Sequence, residues 1–130
     1  MITWSAARRH RFPSMRKYRS LVAWQRAHQL VVLTLKTADA AYHARSGALL
    51  DQLRRATISV EANIVEGYAL STPLQFRRHL RIAVGSAAEA ESLIETASEM
   101  DYLPADAVRT MRELVDETLA TLFGLLRKLP

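Results

Sequence analysis

The chain has 130 residues, 49% of them apolar and 24% charged, with a formal net charge of +5 and no cysteine. That composition suits one soluble domain with a single core, because a chain of this size buries roughly 70% of its unfolded surface without a disulfide or metal staple. Lack of cysteine excludes zinc fingers, iron–sulfur clusters, thiol nucleophiles and disulfide frameworks. The longest strongly apolar run, Leu30 to Leu35, is far short of the about 20 residues that span a bilayer. The first 19 residues lack the apolar stretch of a secretion signal, so a cytoplasmic location is expected.

Residues 1–19 carry Arg8, Arg9, Arg11, Arg16, Lys17 and Arg19 and no acid, a charge of +6. They read as a flexible basic arm ahead of a helical domain over residues 20–130. Period-two alternation is absent, whereas helical periodicity is strong and Gly and Pro fall at the joints. The first helix is expected from about Ser20, as N-cap, to about His43. Trp24, Ala27, Val31, Leu35, Ala38 and Tyr42 form its expected inward stripe. Leu30, Val32 and Leu33 fall off that stripe, so the helix is apolar over more than one face, and these three are the expected oligomer interface.

The second helix is expected from about Ser46 to Tyr68, with Leu49, Leu53, Ala56, Val60 and Ile64 as its seam and Gly67 as its C-terminal cap. Beside the seam, Arg55, Ser59, Asn63 and Glu66 recur at spacings of four, four and three and share one stripe. An unpaired buried amide costs about 1–3 kcal/mol, so Asn63 needs partners. Ser86 and Glu89 on the next helix are the candidates for an inner polar network that sets helix register.

The third helix opens at Thr72-Pro73-Leu74-Gln75, a cap, a first-position proline and a capping-box glutamine, and runs to about Asp101. Its seam is Phe76, Leu80, Ala83, Ala87, Ala90, Ile94 and Ala97, a 4-3-4 spacing typical of left-handed bundles. Pro104 separates it from a fourth helix over about Ala105 to Lys128, with Val108, Met111, Val115, Leu119, Leu122 and Leu126 on one face. Connections this short force neighbours antiparallel, so the fold is all-α, an antiparallel up-down-up-down four-helix bundle.

Catalytic and cofactor signatures do not occur. Paired Glu-x-x-His motifs are missing, His10, His28, His43 and His79 lack metal-ligand spacing, and the four glycines stand alone. The sequence therefore points to no catalytic, cofactor-binding or metal-ligating residue and no small-molecule substrate. Arg54, Arg55, Arg77, Arg78 and Arg81 are the candidate nucleic-acid contacts, reading backbone and shape rather than sequence. Residues 89–130 carry four basic residues against nine acids, so charge pairing between subunits is the alternative use of the same arginines.

Several separated blocks carry a family resemblance. Leu21-Val22-Ala23-Trp24-Gln25-Arg26-Ala27, Gln52-Leu53-Arg54-Arg55-Ala56, Asn63-Ile64-Val65-Glu66-Gly67-Tyr68 and Phe76 through Ser86, followed by Glu89 and Glu91, occur in that order. They resemble the four-helix-bundle proteins encoded in intervening sequences of bacterial 23S ribosomal RNA, over about Met15 to Leu129. The resemblance implies a ring-like homopentamer. Accessory proteins of diversity-generating retroelements share the bundle and form basic barrels that contact nucleic acid and a reverse transcriptase. Two departures stand out: Glu61 occupies a position where many relatives have proline, and residues 20–130 sum to a charge of only −1. The function expected is a non-enzymatic oligomeric scaffold for structured RNA or a nucleoprotein, or else a protein–protein assembly module with no nucleic-acid role.

Overall fold

A computed structural model describes residues 15–70 and 72–130. A short 3-10 turn, Met15–Ser20, leads into four helices: α1 Val22–Ala41, α2 Gly47–Ala69, α3 Pro73–Glu99 and α4 Ala105–Lys128. Each helix contacts only its two cyclic neighbours, so the four stand in a square of order α1-α2-α3-α4. Cross-helix contacts fix the directions. Asp39 meets Arg54 and His28 meets Glu61 between α1 and α2, while Asn63 meets His79 and Gln52 meets Glu89 between α2 and α3. Rising numbers on one helix pair with falling numbers on the next, which is the up-down-up-down bundle.

Helix boundaries follow local chemistry. Thr72 caps α3 by accepting a hydrogen bond from the Gln75 backbone N–H, with Pro73 in the first turn. The other end of α3 closes in a Schellman arrangement, Tyr102 N–H to Ala97 carbonyl and Asp101 N–H to Ser98 carbonyl. Asp101 takes the left-handed position at φ 58°, which a short polar side chain tolerates better than most. Two expected ends differ. Ser20 is no cap: its hydroxyl donates to the Lys17 carbonyl inside the 3-10 turn, and α1 begins two residues later. Gly67 does not end α2, which continues to Ala69 with the Leu70 N–H bonded to the Glu66 carbonyl. Glycine is needed there because α3 comes close: a Cβ on Gly67 would stand 2.8 Å from the His79 Cβ. The expected arm falls outside the described residues up to residue 14, and the next six form the 3-10 turn against α1 and α2.

The core has two layers. Leu50, Leu53, Ala90, Ile94, Met111 and Val115, with Leu30 and Ala38, fill the half that holds the α1–α2 and α3–α4 connections. Val60, Ile64, Leu80, Ala83, Ala87 and Leu122, with Ala23 and Ala27, fill the half that holds the α2–α3 connection. The expected α3 seam is buried from Leu80 to Ala97, with Phe76 packed at its edge. Burying a Leu or Ile side chain contributes about 1.5–3 kcal/mol, so these layers dominate stability.

The face of α1 is rotated from expectation. Its buried residues are Ala23, Ala27, Leu30, Val31, Thr34 and Ala38, whereas Tyr42 is 53% exposed. Leu30 is fully buried in the core and is not available to another subunit, and Leu33 packs half-buried against the same layer. Of the three expected interface residues, Val32 alone is fully on the exterior, at 36% exposure, and Leu33 is partly accessible. The physical reason is size: alanines at 23, 27 and 38 let α1 approach closely on their side, pushing bulky Trp24 and Tyr42 to the flanks. Trp24 there stacks on His28 at 4.7 Å.

Candidate nucleic-acid interface

The antiparallel topology gathers the start of α1, the end of α2, the start of α3 and the end of α4 at one end of the bundle. Among the described side chains, that half carries Lys17, Arg19, Arg26, Arg77, Arg78, Arg81, Arg127 and Lys128 against Glu61, Glu66 and Glu117. The other half carries ten acids against six basic residues. The bundle is therefore polarised along its axis, basic at the α2–α3 end and acidic at the other. Arg127 and Lys128 also sit in the last turn of α4, where the helix dipole favours cations.

The first turns of α3 present this charge. Leu74 is 75% exposed and, with Arg77, Arg78 and Arg81, lines an open cleft of about 440 Å³. Arg78 and Arg81 are exposed. Arg77 is committed elsewhere: its guanidinium donates to the Leu129 carbonyl at 2.8 Å and to the Pro130 carbonyl, tying the end of α4 to the start of α3. Of the three α3 arginines expected to contact nucleic acid, two have free guanidinium groups pointing to solvent and the third is a strut.

Arg54 and Arg55 belong to the opposite half and form no patch with the α3 arginines. Arg54 bonds Asp39 at 2.6 Å and Asp51 at 2.7 Å, with its side chain only 21% exposed. It joins α1 to α2. Arg55 donates to Gln52 Oε1, and Gln52 in turn donates to Glu89 at 2.6 Å. Arg54 is thus held between two carboxylates, whereas Arg55 is exposed and among the described residues bonds only the Gln52 amide oxygen. Residue type alone cannot distinguish such struts from free cations; the acids at 39 and 51 were the available signal.

The expected polar network exists in two separate pieces along the α2–α3 seam. Near one end Arg55, Gln52 and Glu89 connect as described. Farther along, Ser59 and Ser86 share a hydrogen bond of 2.8 Å, and the Asn63 amide donates to the Ser59 carbonyl at 2.9 Å. His79 Nδ1 donates to Asn63 Oδ1 at 2.9 Å, and Glu66 lies 3.7 Å from the same ring nitrogen. Asn63 is thus satisfied on both sides of its amide. His79 is the member that sequence spacing did not identify. Folding α2 back on α3 at their short joint pairs 63 with 79 and brings 59 within one helical turn of 86, so the register contained the signal.

Among the described residues, no serine hydroxyl hydrogen-bonds the His79 ring. No group of three or more His, Asp or Glu side chains among the described residues is arranged to hold a metal ion. No helix among them is long and apolar enough to cross a membrane. The clearest electrostatic coupling lies on the α3–α4 surface, where Arg112 donates two hydrogen bonds to Glu95 at 2.6 and 2.7 Å. Those bonds hold the Glu95 carboxyl below the usual carboxylate range and raise the Arg112 guanidinium.

The family model described as 23S rRNA-intervening sequence protein matches residues 19–124 of this chain. No curated protein matches it.

Proposed function

The chain belongs to the 23S rRNA-intervening sequence protein family, and on that premise we propose that it is a non-enzymatic, oligomeric scaffold binding structured RNA or a nucleoprotein in the cytoplasm. The observation that carries this reading is the axial polarisation of charge. Segregating basic residues at one end costs repulsion among them, which a polyanion relieves. Arg78 and Arg81 are the contacts we assign, with Leu74 lining the same cleft and Arg127 and Lys128 in the last turn of α4 at the same end of the bundle. Contacts of this type go to phosphates and shape, so affinity falls steeply with salt and depends little on sequence.

An electrophoretic shift with a structured RNA at two salt concentrations tests the reading. Binding at low salt, weakened by Arg78→Glu and Arg81→Glu and with a salt slope reduced by about one per lost contact, is the expected result. No shift at low salt overturns it.

A second reading, an assembly module with no nucleic-acid role, is favoured by exposed Val32, Ile58, Ile82 and Phe123. The family resemblance implies a homopentamer, and sedimentation of the chain at micromolar concentration measures it. A monomer there removes the oligomer from both readings.

A further inference from the structure

An open groove of about 410 Å³ runs along α2, with Val31 of α1 at its edge. Ile58, Ala62 and Val65 make its apolar floor, and Glu61 and Glu66 stand along it. Ile58 is 45% exposed, although polar side chains are available to a helix at no cost in packing there. We propose that this groove is a docking site for the chain's own residues 1–14.

The position of the turn that follows them points to that occupant. The 3-10 turn Met15–Ser20 packs on both α1 and α2. The His28–Glu61 contact sets the register of these helices and places Glu66 opposite Ala23, beside the start of α1. The chain therefore enters the bundle at the Glu66 end of the groove. The chemistry matches as well: residues 1–14 supply Ile2, Trp4 and Phe12 for an apolar floor and Arg8, Arg9 and Arg11, with no acid among them, for exposed Glu66 and for Glu61, which also bonds His28.

Reach does not limit the contact. Fourteen residues extend at most about 50 Å, whereas the helix from Ile58 to Glu66 is about 12 Å long. A segment tethered this closely has an effective concentration in the millimolar range, far above that of a second copy at micromolar protein. Tethering therefore favours the chain's own segment over another molecule's helix. The inference is independent of the proposed function, and its test reads no nucleic-acid binding.

Hydrogen exchange of the full chain at micromolar concentration, followed on the peptide of residues 1–14, tests it. The expected result is exchange slowed relative to the same free peptide; a tenfold slowing corresponds to about 1.4 kcal/mol of docking. The slowing is lost in Ile58→Asp and in Glu66→Lys, with helical content verified by circular dichroism. Glu66 is exposed, so the second variant carries the test if the first disturbs the fold. Exchange at the free-peptide rate in the unsubstituted chain overturns the proposal, and so does protection that increases with protein concentration, which assigns the groove to a second copy.

Discussion

The same substitution at two glycines should have opposite effects. Gly67 and Gly85 both lie inside helices, and replacing either by alanine recovers about 1 kcal/mol of helix propensity. At Gly85 a new Cβ meets nothing within 4 Å, so that gain is realised in full. At Gly67 the new Cβ stands 2.8 Å from the His79 Cβ and 3.0 Å from Phe76 Cδ1. Carbon atoms prefer about 3.5–4.0 Å, so α3 must retreat by roughly 0.7 Å. The His79 Cβ is fixed to the α3 backbone and cannot swing aside, and its retreat also stretches the 2.9 Å bond from His79 to Asn63. Overpacking of this kind costs about 1–3 kcal/mol.

Gly67→Ala is therefore destabilising by about 0–2 kcal/mol once the propensity gain is subtracted, and Gly85→Ala is stabilising by about 1 kcal/mol. Thermal unfolding followed by circular dichroism separates them, because 1 kcal/mol moves the midpoint by about 3–6 °C in a chain of this length. Equal upward shifts would refute the claim that close approach of α3, rather than helix termination, is what glycine serves at position 67.

Two further outcomes follow from the side-chain contacts. Asn63→Ala leaves the His79 Nδ1–H without its acceptor and should cost about 1–3 kcal/mol in urea denaturation; a loss under half of that lower bound would show that water replaces the amide freely. Arg112→Gln should raise the Glu95 titration, followed by carboxyl-carbon resonance, back into the ordinary carboxylate range, since the Arg112 hydrogen bonds are the leading cause of its depression. A carboxyl held low in the folded state contributes stability above the ordinary carboxylate range and loses it as pH falls through the lowered value. Because the pair is solvent-exposed and contributes little to stability, Arg112→Gln should leave the onset of acid unfolding, followed by circular dichroism, in place.

Much of the fold was legible because apolar spacing and joint residues agree. The α3 seam from Leu80 to Ala97 and the bounds Ala105–Lys128 of α4 follow from periodicity and Pro104 directly. The α1 face differs because Ala23, Leu30 and Thr34 are buried where the expected stripe has Trp24, Leu35 and Tyr42. Thr34 is fully buried and was not counted as apolar, while Tyr42, counted as core, is half exposed. Adding Thr34 to the pattern recentres the stripe on Leu30 and leaves Val32 as the exposed member of the three residues expected at an interface. The inner polar stripe was legible in its members but not in its partners, because α2 periodicity states which residues share a face and says nothing of which α3 residues oppose them. That second fact needs the register, which the 59–86 and 63–79 contacts supply.

Charge required the fold itself. Along the chain the gradient runs from a basic front to an acidic back, which suggests two separate surfaces. Up-down topology breaks that correspondence, because each end of the bundle collects the start of one helix and the end of the next. Arg127 and Lys128, from the acidic back, join Lys17 and Arg19, from the basic front, at one end, while Arg54 and Arg55 are carried to the other, where Arg54 is paired with Asp39 and Asp51 and Arg55 bonds the Gln52 amide. What a polyanion would meet is therefore set by which half of each helix bears its cations. Moving Arg78 and Arg81 two turns along α3 would leave the net charge unchanged and place them beside the acidic half, where Glu89 and Glu95 stand. The proposed RNA contact predicts that a chain with the pair so relocated shows a weaker electrophoretic shift, although composition, pI and predicted helices are identical.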